Sequence, residues 1–203
     1  MAKSTTSTTV AATSPAGSSY LEWGAISGGA VVAIAISLVL IQFGAGVGLS
    51  ADGVQPGSGA FLAAFAAALW LLWCALVSAG AGGYIAGRMR SRFGDASEHE
   101  VEMRDGIHGL VVWATSTILI GIVLAVLGAL SALGGAAAAT ADGDVSASAQ
   151  LFARNSGILF AFGTAAGSAL SAGVAWWCAT IGGGHRDEGV DVHTFVPGFL
   201  RRS

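Results

Sequence analysis

Lysine, arginine, aspartate and glutamate are missing altogether from four long stretches of this 203-residue chain, about Gly24 to Leu49, Ala60 to Gly87, Ile107 to Gly135 and Gly157 to Gly182. Charged residues make up 10% of the whole, where a soluble domain carries about a quarter. A soluble globular fold is therefore excluded. The 9 Lys and Arg residues are scattered, so they build no basic face and no nucleic-acid partner is expected. Cysteine is limited to Cys74 and Cys178. Cys74 falls near the middle of its stretch and Cys178 near the end of its own, so a disulfide would need an improbable register, and buried thiols are the expectation. No nucleophile stands beside a base, and no His-Glu-x-x-His set occurs, so an enzyme is not expected and neither is a cofactor or a metal. Met1 to Ser19 holds Ser, Thr and Ala with Lys3 as the sole charge and no apolar core, which reads as a disordered tail and not a signal peptide.

What the chain does have is apolar length. It is 54% hydrophobic, with a mean hydropathy of +0.71. Each charge-free stretch exceeds the ~20 residues an α-helix needs to cross a hydrocarbon core ~30 Å thick. Only helices and closed barrels satisfy their backbone in lipid, and the short alternating strands of a barrel are not seen. The expected fold is all-α: a polytopic membrane protein of four transmembrane helices in a glycine-packed bundle, spanning residues 20–183, with a C-terminal tail at 184–203. The lipid bilayer is its first partner.

Basic residues set the expected orientation. Lys3, Arg88, Arg90, Arg92, Arg104, Arg186, Arg201 and Arg202 fall on one side and only Arg154 on the other. Under the positive-inside rule both termini are then cytoplasmic. Tyr20, Trp23 and Phe199 sit near the cytoplasmic ends, where amphipathic rings anchor at headgroups. In the tail, Phe195, Val196, Phe199 and Leu200 before Arg201 and Arg202 suit the inner leaflet surface. His185, Asp187, Glu188, Asp191 and His193 lie in a Gly-rich context that gives them no fixed geometry.

Glycine supplies the second signal, with 31 residues. Gly24 and Gly28, Gly44 and Gly48, Gly83 and Gly87, and Gly163 and Gly167 are each four apart, so each pair shares a helix face on which another backbone can approach closely. These strips serve either contacts inside one bundle or a homo-oligomer interface. Trp73-Cys74 and Trp177-Cys178 both precede a Gly-rich, Arg-containing exit, as a duplicated hairpin would, although the first and third spans match poorly.

The densest polar group surrounds the loop between the second and third spans. Asp105 is placed to cap the third helix by accepting from the His108 N–H, with Arg88 at the end of the second helix paired to it across the hairpin. Arg88, Asp105 and His108 read either as a capped hairpin or as a proton or anion gate. Ser97 to Glu102, with His99, reads as a solvated acidic loop face.

Trp23-Gly24-Ala25, Gly-Gly-Tyr-Ile-Ala-Gly-Arg at 82–88, and Asp-Gly-Ile-His-Gly-Leu at 105–110 followed by Trp113 resemble a group of uncharacterised bacterial four-helix inner-membrane proteins. The resemblance runs from about Trp23 to Trp113 and implies that fold and the bacterial inner (cytoplasmic) membrane; it carries over no functional residue. Two functions fit the residues. The first is a non-enzymatic structural or accessory subunit that oligomerises or joins a larger membrane complex. The second is a small channel or transporter for water or a neutral solute, its lumen drawn from Gln42, Thr115, Ser116, Thr117, Thr164, Ser168 and Ser171. Absence of a buried carboxylate argues against proton-coupled transport.

Overall fold

The computed structural model describes residues 20–50, 58–91, 97–138 and 147–190. The N-terminal tail, Arg92, His193 and the Phe195 to Arg202 stretch lie outside these. Among the described residues there are four α-helices, α1 (Trp23–Ser50), α2 (Ser58–Met89), α3 (Glu98–Ala138) and α4 (Ala147–Asp187). Long runs of Ala, Leu, Val and Ile with no proline favour helix, and in lipid the helix is also the state that satisfies every backbone group. Three stretches, Trp23–Val47, Phe65–Met89 and Glu98–Leu130, are long and apolar enough to cross a membrane.

α2 packs against all three other helices, and its most extensive contact is with α4; α3 meets the other three as well, while α1 and α4 do not touch among the described residues. The start of α1, the end of α2, the start of α3 and the end of α4 gather at one end of the bundle. The apolar core lies toward that end, formed by Ile26, Ala30, Ala86 and Val112. Further along, more of the described side chains are exposed. Every α3 residue from Gly121 to Leu130 is exposed, as are Leu38, Val39, Ile41, Phe43 and Val47 of α1 and residues 162–166 of α4.

Two helix boundaries differ from the sequence expectation. α3 starts at Glu98, well before Asp105, so Asp105 is interior to the helix and does not cap it. The cap is Ser97, whose hydroxyl accepts from the Glu100 N–H at 3.3 Å. Ser97-Glu98-His99-Glu100 has the spacing of a capping box, and Glu98 and Glu100 complement the dipole in the first turn. The acidic segment is thus a helix start, not a loop. At the far end of the chain, α4 runs on through Gly182-Gly183-Gly184 to Asp187. It stops in a Schellman turn: Gly189 has φ 66°, its N–H donates to Arg186 O, and the Val190 N–H donates to His185 O at 3.0 Å.

The glycines differ sharply in what surrounds them. A Cβ added at Gly83 or Gly87 would collide with the Ala175 or Ala179 carbonyl of α4, and one at Gly29 would meet Gly82 O of α2. A Cβ at Gly28 would lie 3.5 Å from Met89 Sδ and one at Gly167 3.3 Å from Leu72 Cδ1, while one at Gly44 would collide with the Trp70 ring. Gly24 and Gly163 meet nothing. The surroundings of Gly48 lie outside the described side chains.

Adding one methyl therefore has opposite consequences along the same helices. Gly83→Ala and Gly87→Ala are expected to lose about 1–3 kcal/mol, because the obstacle is backbone and cannot rotate away. Gly24→Ala and Gly163→Ala are expected to be neutral, or up to about 1 kcal/mol more stable, from helix propensity alone. Unfolding by denaturant titration in mixed micelles measures both pairs.

Candidate functional site

Four helix ends converge on a cluster of charged and polar side chains in which Asp105 is the central acid, only 1% exposed. Its placement inside α3, and not at the helix start, turns the carboxylate into the bundle. Arg90, just past α2 and 2% exposed, donates from Nε to Asp105 Oδ1 at 2.5 Å. Arg186, from the last turn of α4, donates from Nη1 to Oδ1 at 3.2 Å and from Nη2 to Oδ2 at 3.3 Å. One aspartate of α3 thereby joins α2 to α4. Gly183 makes room for it, since a Cβ there would fall on the carboxylate.

Arg186 does more than pair. Its Nη1 also donates to Gly87 O at 2.8 Å and to Arg90 O at 3.2 Å, satisfying carbonyls that the end of α2 leaves without an intrahelical donor. Its Nε donates to Asp187 at 2.8 Å. Burial alone would push the guanidinium down, but the hydrogen bonds and charges of Asp187 and Asp105 outweigh it and hold Arg186 above its ordinary range.

Arg88 is not the partner of Asp105. Its Nη2 donates to the Val190 carbonyl, which the Schellman turn of α4 presents to it. The sequence expectation of an Arg88 to Asp105 pair fails because Arg88 and Arg90 lie two residues apart, about 200° around a helix, so only one can face α3. His108 is fully buried. Its Nδ1 lies 2.7 Å from Arg104 O, and its Nε2 lies 3.0 Å from the Glu22 backbone N. A carbonyl only accepts and an amide N–H only donates, so these partners select the neutral imidazole with its proton on Nδ1. The Glu22 carboxylate in turn accepts from the Ser91 N–H at 3.0 Å and from its hydroxyl at 3.2 Å. Arg104 pairs with Glu100 at 3.2 Å and lies over the Tyr20 ring, 4.2 Å from its centroid. Tyr84 and His185 meet at 3.2 Å, so His185 sits in a packed helical turn and not in a flexible tail.

The structure thus brings Asp105 and His108 into one cluster, puts Arg88 at its edge, and adds Arg90, Arg186 and Glu22, which the sequence reading did not single out. The buried carboxylate also corrects the expectation that none exists. The capping box was the available signal: starting α3 at Glu98 places Asp105 about two turns inside the helix.

The lumen candidates do not converge. Gln42 and Thr117 are exposed, Thr115 and Ser168 are half-buried, and Ser116 donates to Trp113 O of its own helix at 3.0 Å. Ser171 accepts from Trp113 Nε1 at 3.0 Å and donates to Ser168 O at 2.8 Å, a hydrogen bond between α3 and α4. Cys74 and Cys178 are both free thiols. No family model, curated protein or solved structure matches this chain.

Removing the acid strips buried Arg90 of its carboxylate and leaves Arg186 with Asp187 alone. Asp105→Asn is expected to cost about 3–5 kcal/mol. A double-mutant cycle in detergent unfolding separates the two arginines: coupling of at least about 1 kcal/mol between Asp105 and Arg90, and near zero between Asp105 and Arg88.

Proposed function

We propose that this chain is a four-span protein of the bacterial inner membrane, with both termini in the cytoplasm, that acts as a non-enzymatic structural or accessory subunit and forms a homo-oligomer or joins a larger membrane complex. Support for the fourth span comes from connectivity: the start of α1, end of α2, start of α3 and end of α4 share one end of the bundle, so α4 must return across whatever the other three cross. The same end holds Arg88, Arg90, Arg104 and Arg186, which is the side the positive-inside rule assigns to the cytoplasm. Close approach of Gly29, Gly82, Gly83, Gly87 and Gly109 to facing backbone or Ala side chains supports a glycine-packed bundle.

The observation that carries the accessory reading is how the polar side chains of the spans are used. Ser78, Ser116 and Ser171 each donate to a carbonyl of their own helix, at 2.6 Å, 3.0 Å and 2.8 Å. These hydroxyls are satisfied within their own helices, Ser171 also accepting from Trp113 across α3 and α4, and among the described residues they offer no free file of donors for a solute. Large apolar side chains of α3, among them Ile118, Ile122, Leu124 and Leu127, are meanwhile exposed. Lipid tails and partner helices are both suited to such surfaces, and a subunit uses them for assembly.

The expected mass in native nanodiscs is that of more than one chain, and sequencing the co-purified material distinguishes copies of this chain from other subunits. Proteoliposomes are expected to show water and small-solute flux no faster than protein-free vesicles. A closed ring with water density along an axis lined by Thr115, Ser116 or Ser168 would overturn the reading in favour of a channel.

A further inference from the structure

His108 and the start of α1 form an arrangement that the assembly role does not use. The imidazole is fully buried in α3, yet one of its nitrogens accepts from the backbone of another helix, at the Glu22 N–H. Glu22 immediately precedes α1, so this N–H is one of those a helix start leaves without an intrahelical acceptor. The imidazole supplies the missing acceptor. Both ring nitrogens are occupied by main-chain groups, and they demand opposite hydrogen-bonding characters: donor at Nδ1, acceptor at Nε2.

We propose that His108 is a proton-operated latch on the cytoplasmic end of α1, closed when the imidazole is neutral and released when it is protonated. A proton taken from water at Nε2 would set one N–H against the Glu22 N–H across 3.0 Å, replacing a hydrogen bond with two facing donors. Nδ1 stays committed to Arg104 O, so the ring cannot escape the conflict by exchanging tautomers. The protonated ring therefore requires the Glu22 segment to withdraw. The open form binds one more proton than the closed form, and linkage then favours opening as the pH falls.

The charged groups around the cluster each engage a partner other than the ring. On α1, the Glu22 carboxylate is turned to Ser91 and not to the ring. On α3, Arg104 is paired with Glu100, and Asp105 is taken by Arg90 from α2 and Arg186 from α4. Arg88 is directed to Val190. These partners keep the strongest charges engaged with one another and leave the backbone contact as the direct hydrogen-bonding constraint on the imidazole. What opens is small: the Glu22 cap, its carboxylate link to Ser91 at the end of α2, and the Tyr20 ring beneath Arg104. The Asp105 cluster, held by salt bridges, stays intact.

The test is amide hydrogen exchange of Glu22 to Ser27 in nanodiscs, corrected for intrinsic exchange, at about pH 7.5 and about pH 5, which bracket ordinary imidazole titration. Protection is expected to fall at least about ten-fold in the wild-type protein on acidification, while amides near Val112 hold theirs. In His108→Gln, whose side-chain carbonyl still accepts but does not titrate, the fall is expected to vanish. Wild-type protection that does not change with pH would overturn the latch, as would an equal loss in His108→Gln. Should that variant fail to fold, 15N-histidine spectra of the wild-type protein decide. A proton on Nδ1 and a bare Nε2 at the higher pH support the latch; the opposite tautomer sinks it.

Discussion

Burying the Asp105 carboxylate costs several kcal/mol unless cations come with it, and the two that do arrive from the ends of different helices. That requirement fixes the relative positions of α2, α3 and α4 more tightly than apolar packing can, because a salt bridge tolerates little change in distance or angle. Arg90 and Arg186 occupy Asp105 together, and Arg186 also closes the last carbonyls of α2. Losing any one of the three would strand charge or backbone polar groups in a site from which water is largely excluded.

Small residues make the cluster geometrically possible. The guanidinium groups reach Asp105 only if the helix axes approach closely, and Gly83, Gly87, Gly109 and Gly182 let facing carbonyls occupy the space of a Cβ. Gly183 has a different job, clearing room for the carboxylate itself. Elsewhere glycine in a helix costs up to about 1 kcal/mol relative to alanine, so this usage is favourable only where backbone contact or a buried charge returns more than that.

The bundle is consequently uneven along its length. Among the described residues, salt bridges and caps concentrate at the charged end, while the parts of α1 and α3 farther from it present apolar side chains outward. Local opening is expected to be costly near Val112 and Ala86 and cheaper at the start of α1, held by the contacts of Glu22 with His108 and Ser91. The proposed assembly through the exposed side chains and the proposed pH response at the charged end would therefore use different parts of the molecule.

Charge-free length alone determined that the chain is helical with segments able to cross a membrane, since lipid excludes unsatisfied backbone and apolar spans of 25 to 33 residues leave no other solution. The glycine spacing marked Gly83 and Gly87 as approach points, but it did not separate them from Gly24 and Gly163, because a strip of small residues is visible in one helix while its partner is set by the arrangement of all four. The same limit governs the charged site. Arg88, Arg90 and Arg186 are all arginines near helix ends, and its place at the end of the second helix favoured Arg88 for Asp105. Helix phase and the return of α4 assigned Arg90 and Arg186 instead. Ser97 to Glu102 reads in sequence as an acidic loop face, whereas the helix start there moves Asp105 inside α3, and only the tertiary structure decided which side chains face it, because that depends on rotation and depth of three helices relative to one another.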